Sequence, residues 1–330
     1  MKHLLLFAGV VAAQAVPAGA QLLDGEKPAE ISAIDGVIGA DSEWEIAWAG
    51  PMTADGMTTD ADGHLLFAQE QSNSIRKLWP DGSEWVEVPY VHGAGAVSVD
   101  SSGRMLAVER TCTDPGLGLP DCAVPTRVVQ LAPERRVIAS SFADGSSLGR
   151  LNDLHADGRG GAWFTQGALY HAAADGTVTT IAEVENFTNG VVLSPDGGTL
   201  YVTDRTTILA FDVSKDGVAG SERVFAALSH DTQGFGGDGM AVDREGRLYV
   251  TGDAGIYVFD AQGSELGLIP VPRRAITLAF AGPERCTLYV GAMGAVTPEG
   301  QAWTTPEGVR NVAMTVYRVG MLASGPQNRP

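Results

Sequence analysis

Apolar positions along this chain do not repeat with the period of an amphipathic helix. They fall into short runs separated by turns of Gly, Asp, Asn and Ser, the pattern of short β-strands. The stretch Gly236 to Val250, GGDGMAVDREGRLYV, is typical. A polar residue, Asp238, opens the apolar strand Gly239-Met240-Ala241-Val242. Asp243-Arg244-Glu245-Gly246 is a turn, and Arg247-Leu248-Tyr249-Val250 returns as a second strand rich in β-formers.

The chain writes this hairpin six times. Aligned on the turn glycine, the first positions are Asp55, Gly95, Asn152, Asn189, Asp238 and Thr277. The turn positions are Gly63, Gly103, Gly161, Gly198, Gly246 and Cys286, always 8 or 9 residues downstream. Repeats of this length built from strands imply a solenoid or a propeller. Strand-rich units with DG, PDG and SSG turns favour the propeller, whose blades are four-stranded sheets around a channel. The sequence therefore predicts an all-β, six-bladed β-propeller of four-stranded antiparallel blades, one per repeat.

The ends complete the picture. Trp44–Trp48 and Met314–Val319 are strand patterns without hairpin partners of their own. A propeller must close its ring or leave an open edge, so these two segments are expected to share the last blade. Residues 1–20 read as a signal peptide: Lys2, the apolar run LLLFAGVVAAQAV, and a small-residue cleavage site at Ala18-Gly19-Ala20. The expected organisation is a loose leader over 21–40, one propeller domain over 41–320 and a polar tail over 321–330. The expected location is outside the cytoplasm, periplasmic or secreted. No later segment is long and apolar enough to cross a membrane as a helix.

Composition narrows the partners. The net charge of −18 becomes −19 when Lys2 leaves with the signal peptide. No basic stripe exists to displace counterions, so nucleic acid is excluded as a partner. In an exported chain, Cys112 and Cys122, which bracket the loop TCTDPGLGLPDC, are expected to form a disulfide. Cys286 lies in a strand pattern and reads as a small buried hydrophobe. GFGGDG (234–239) fits GxGxxG, but a strand follows where a dinucleotide site needs a helix. GSSLG (145–149) lacks the strand-turn-helix setting of a nucleophile elbow. The sequon at Asn186 bears on the fold only in a glycosylating host, and the histidines show no metal-ligand spacing.

Chemistry concentrates at the first positions. In a propeller the innermost strands line the channel, so equivalent positions lie at one height around it. Two carboxylates, Asp55 and Asp238, and two carboxamides, Asn152 and Asn189, then face one mouth. Oxygen donors of this kind suit a hard cation such as Ca²⁺. Asp-Gly and Asn-Gly are also plain turn formers. That reading does not explain why each pair precedes a strand and stays in register across four repeats.

RLNDLHADGRGGAWFT, NGVVLSPDGGTLYVTD and DGMAVDREGRLYVTGDAGIYVFD resemble the gluconolactonase/regucalcin family over roughly Asp55 to Val319. The resemblance implies a six-bladed propeller that hydrolyses sugar lactones with one divalent metal. It implies Asp55, Asn189 and Asp238 as ligands, and Arg150 and Asn152 as substrate contacts. The metal implied is Ca²⁺ first, with Zn²⁺, Mg²⁺ or Mn²⁺ as alternatives. The chain departs from the family at Asp55, where Glu is usual, and at Gly95-Ala96, Thr277 and Gly237, which replace Asn-Gly, Asn and Pro.

The resulting expectation is a metal-dependent lactonase acting on a small lactone, with Asp238 as both ligand and general base. An arylesterase or phosphotriesterase of the paraoxonase type is the nearest alternative, favoured by the polarity lost at Gly95 and Thr277. A non-catalytic binding propeller, metal-stabilised or strictosidine-synthase-like, is the alternative of another class.

Overall fold

Each sequence hairpin becomes a pair of hydrogen-bonded strands. In the fifth repeat, Met240–Val242 pairs antiparallel with Leu248–Thr251, Met240 opposite Val250 and Val242 opposite Leu248. The Asp243 carboxylate fastens the turn. Its Oδ1 accepts from the amides of Glu245 (3.0 Å) and Arg247 (2.9 Å), and its Oδ2 accepts from the Tyr249 hydroxyl (2.9 Å). Asp60, Asp100 and Asp157 accept from turn amides in the same way in the first three repeats. These aspartates are structural, because a short polar side chain satisfies turn donors that no strand can reach.

The computed structural model describes residues 22–110, 125–217, 219–231, 234–303 and 313–327. Among them, 24 strands form six four-stranded antiparallel sheets. The innermost strands are Asp55–Thr59, Ala94–Val99, Leu154–Ala156, Val191–Leu193, Met240–Val242 and Ala275–Ala281. Each touches the innermost strand of both neighbouring blades, and the contacts run unbroken from the first blade to the sixth and back. The protein is thus a six-bladed β-propeller. The expected signal segment and the Cys112–Cys122 pair lie outside the described residues.

The ring closes as the orphan strands predicted. Glu45–Gly50 forms the outer edge of the sixth blade and pairs antiparallel with Met314–Gly320, Glu45 opposite Arg318 and Gly50 opposite Met314. The stability of the closure comes from apolar burial between blades. Trp163, Tyr249, Phe67 and Phe164 are fully buried there, and large aromatic side chains carry the most apolar area per residue.

Three expectations are corrected. The leader is not loose: Val37 and Ile38 are completely buried in one apolar cluster with Tyr317 and Val319. Glu26 accepts a hydrogen bond from the Tyr317 hydroxyl at 2.6 Å. Fully burying a side chain the size of Ile38 is worth about 1.5–3 kcal/mol, which explains why a segment without a hairpin still docks. The tail likewise begins by packing, with Met321 and Ala323 buried and Gly325 N–H bonded to the Arg285 carbonyl. Cys286 is an exposed free thiol. It stands at the turn position, just before the strand Thr287–Met293, so its side chain leaves the sheet where a strand residue would enter it.

Candidate active site

The channel mouth is built from glycines and threonines before any reactive group enters. The glycines that follow Asn189 and Asp238 mark close approaches between innermost strands. A Cβ at Gly190 would stand 2.1 Å from the Asp238 carbonyl oxygen, and one at Gly239 would stand 2.8 Å from the Thr277 Cα. These glycines are present because neighbouring strands crowd the axis, not because the chain turns there. Thr165, Thr203 and Thr251, at the ends of the adjacent strands, are fully buried. The Thr165 hydroxyl accepts from the Asp153 amide and donates to the Asn189 carbonyl. The Thr203 hydroxyl accepts from the Asn189 amide at 3.0 Å. Two of the ring's backbones are therefore fixed by side chains one strand away.

A cavity opens at this mouth. It is lined by the innermost strands of all six blades, with Asp153, His155, Ser98 and Thr277 among its polar residues. Asp238 and Asp55 lie close enough for the charge of one to act on the other. Burial, then the Asp55 and Asp153 carboxylates, push Asp238 well above the usual carboxylate range, against the opposing charges of Arg274 and Arg110. Asp153 is pushed up to about 7, first by burial and then by Asp55, with Arg110 pulling the other way. Asp55 is anchored at the start of its strand: its Oδ1 accepts from the Gly56 amide at 2.8 Å.

Two residues here were given no role from sequence. Asp153 follows Asn152 directly and belongs to the same carboxylate group, so its signal was present in the Asn-Asp pair. Arg110 gave none. It follows the strand Met105–Glu109, and its side chain is 4% exposed. It fills the gap left at Gly95, where a Cβ would stand 2.1 Å from the Arg110 Nε. The second blade therefore does bring a polar group to the mouth, which corrects the view that Gly95 only removes polarity. Thr277 is turned to its neighbour: its hydroxyl accepts from the Met57 amide at 3.1 Å and ties the sixth blade to the first.

Asn189 is half-buried in the strand approach next to Asp238, Asn152 is half-buried beside Asp153, and Arg150 is exposed on the loop leading to Asn152. The donors a cation would meet here are the side-chain oxygens of Asp55, Asn189 and Asp238, and the Asp55, Asp153 and Asp238 carboxylates lie close enough for their charges to interact. Such a set fits a hard divalent cation, whose charge would relieve their repulsion. A second acidic group, Asp60, Asp62 and His64, clusters within reach of one ion at the far end of the first blade's inner strand. There Asp60 already pairs with Lys77 at 2.8 Å and with His64 at 3.1 Å.

The model of the SMP-30/gluconolactonase/LRE-like family matches residues 94–294, and the chain belongs to that family. It is 29% identical to a pentonolactonase of Haloferax volcanii over 245 residues, 64% of this chain and 83% of the relative. It is 25% identical to a gluconolactonase of Zymomonas mobilis over 262 residues, covering 69% and 72%. In fold it is similar to a gluconolactonase structure from Xanthomonas campestris, with a TM-score of 0.68 at 21% identity over 93% of this chain and 98% of that one. A calcium-binding regucalcin of Agrobacterium tumefaciens superposes with a TM-score of 0.62 at 19% identity, covering 86% and 95%.

Proposed function

We propose that the protein is a metal-dependent lactonase that opens a small lactone to its hydroxy acid. The observation that carries this reading is the electrostatic closeness of Asp55, Asp153 and Asp238, of which Asp153 lines the channel cavity, in a family whose similar members are named for lactone hydrolysis. Propellers host many chemistries, so the site rather than the fold bears the argument.

Asp55, Asn189 and Asp238 would hold the cation, Ca²⁺ by the hardness of the donors. When bound, such an ion supplies Lewis-acid polarisation of an acyl carbonyl. Asp238 takes a proton from the attacking water as the water oxygen bonds to the acyl carbon. The ring C–O bond then breaks, and the departing oxygen takes the proton back, so that one water is added in total. Burial and the neighbouring carboxylates raise the proton affinity of Asp238, the direction a general base near neutrality needs, while a bound cation would lower it. Asn152 would offer amide hydrogens to the substrate, and Arg150, exposed on the loop before Asn152, would bind its oxygens.

A second reading, an ester hydrolase of the arylesterase or phosphotriesterase kind, draws support from two exposed aromatic side chains. Phe187 and Phe235, 47% and 72% exposed, sit just upstream of Asn189 and Asp238 and would favour an apolar leaving group. Acid release at constant pH separates the readings. The substrates are an aldonolactone, γ-butyrolactone and phenyl acetate, each with and without a chelator. Chelator-sensitive turnover of the lactones supports the proposal. Turnover of phenyl acetate alone supports the second reading, and no turnover of any of them leaves a binding propeller.

A further inference from the structure

The second blade is the odd one of the six. Its first position is Gly95, yet the space before it is occupied by a guanidinium from the end of the next strand. The Arg110 Nε donates to the Leu151 carbonyl at 2.7 Å. Nη2 donates to the Asn152 carbonyl at 2.8 Å and to the Asn152 Oδ1 at 2.9 Å. Nη1 stands 3.5 Å from the Asp55 Oδ2 and 3.7 Å from the Glu70 Oε2. One buried side chain thus links the first, second and third blades at the mouth.

The hydrogen-bonding chemistry of this link has a direction. A guanidinium has five N–H donors and no acceptor. The Asn152 atom that meets Nη2 must therefore be the carboxamide oxygen, whichever way round an amide is drawn. That oxygen already accepts from the guanidinium, which leaves it one lone pair and leaves both Nδ2 hydrogens to offer. The positive guanidinium against that oxygen disfavours a cation there, so the side chain serves a ligand through its hydrogens, as a donor to a carbonyl or hydroxyl oxygen. The planar fork is held by two main-chain carbonyls of the third blade, so its charge stays beside Asp55 and does not swing with solvent.

We propose that Arg110, admitted by the missing side chain of Gly95, is a positioning residue of this site: it fixes Asn152 as a hydrogen-bond donor to the lactone and sets a permanent positive charge beside Asp55. The substrate half rests on the lactonase reading; the charge half does not. Arg110→Met keeps the length of the chain and removes the donors. It is expected to raise KM for the lactone about 10-fold, the scale for losing a hydrogen bond that involves a charged group, with kcat changed less than about 3-fold. In the Asn152→Ala background the same substitution should add almost nothing, because the carboxamide it orients is gone. Gly95→Ala, which leaves the guanidinium on the chain but displaces it, should copy the KM effect. Asn152→Asp keeps an oxygen for Arg110 and has no hydrogens for substrate, so it should keep Tm while KM rises as in Asn152→Ala.

Calorimetric titration of the purified, chelator-stripped protein with Ca²⁺ gives the second readout. Removing the positive charge in Arg110→Met should tighten Ca²⁺ binding by about 3- to 10-fold, a modest Coulomb effect at part-screened distance. Additive KM effects of Arg110→Met and Asn152→Ala would overturn the positioning role. Unchanged or weaker Ca²⁺ binding would overturn the placed charge. A wild-type protein that opens no lactone would remove the functional reading, while the titration still decides the place of Arg110 in the ring.

Discussion

Gly190 has no room for a side chain, because the Asp238 carbonyl oxygen lies 2.1 Å from where its Cβ would stand. The fourth and fifth blades meet there at their innermost strands, one residue from Asn189 and at Asp238 itself. Gly190→Ala must push these strands apart. Overpacking of this kind costs about 1–3 kcal/mol, and the displacement falls on two candidate cation ligands. The expected result is a lower Tm together with Ca²⁺ affinity reduced by about tenfold or more, read by thermal unfolding and calorimetry on the same sample. A variant with unchanged Ca²⁺ affinity would place the cation elsewhere.

The confined carboxyls give the protein a pH dependence that a cation should cancel. Asp153 is raised to about 7 and Asp238 is raised as well. For an acid raised on folding, the folded state prefers the protonated form. Its favourable contribution is complete below the ordinary carboxylate range, near pH 4, and is lost as pH rises to about 7. The cation-free protein should therefore lose Tm across that window through these groups. Ca²⁺ pairs with the ionised forms, so the Tm gain on adding it should be larger at pH 8 than at pH 5. An equal gain at both pH values would show that these carboxyls do not face the ion.

The thiols separate two expectations. Cys286 is exposed and free, so a native-state thiol reagent should modify one cysteine per chain without denaturant. If Cys112 and Cys122 are bonded, denaturation should reveal no more. Three reactive thiols after denaturation would refute the pairing.

The architecture was legible because a propeller repeats its unit. The spacing between Asp238 and Gly246, recurring to within one residue five more times, dictated six hairpins, and the orphan strands at Glu45–Gly50 and Met314–Gly320 left one way to close the ring. Asp55 and Asp238 were legible because register places them at one height. The leader was not, since its anchors are single contacts to distant residues, such as Glu26 to Tyr317, and have no local period. Arg110 was hidden for a related reason. A glycine at position 95 announces an empty place, and the sequence does not say which side chain from elsewhere will fill it. Cys286 misled because it stands in an apolar context at a position whose geometry, that of a turn, points outward.

On the proposed mechanism, Asp238 both holds the cation and moves the proton. The direct test is kcat for lactone opening by Asp238→Asn, measured as Ca²⁺ is raised to saturation, beside Asp55→Ala. Asp238→Asn keeps an oxygen donor of nearly the same shape and loses the base. Its kcat should stay about 10²–10⁴-fold below wild type at saturating Ca²⁺, the usual worth of a general base, whereas Asp55→Ala should recover in part as Ca²⁺ is added. Full recovery of Asp238→Asn at high Ca²⁺ would contradict the claim and leave Asp238 as a ligand alone.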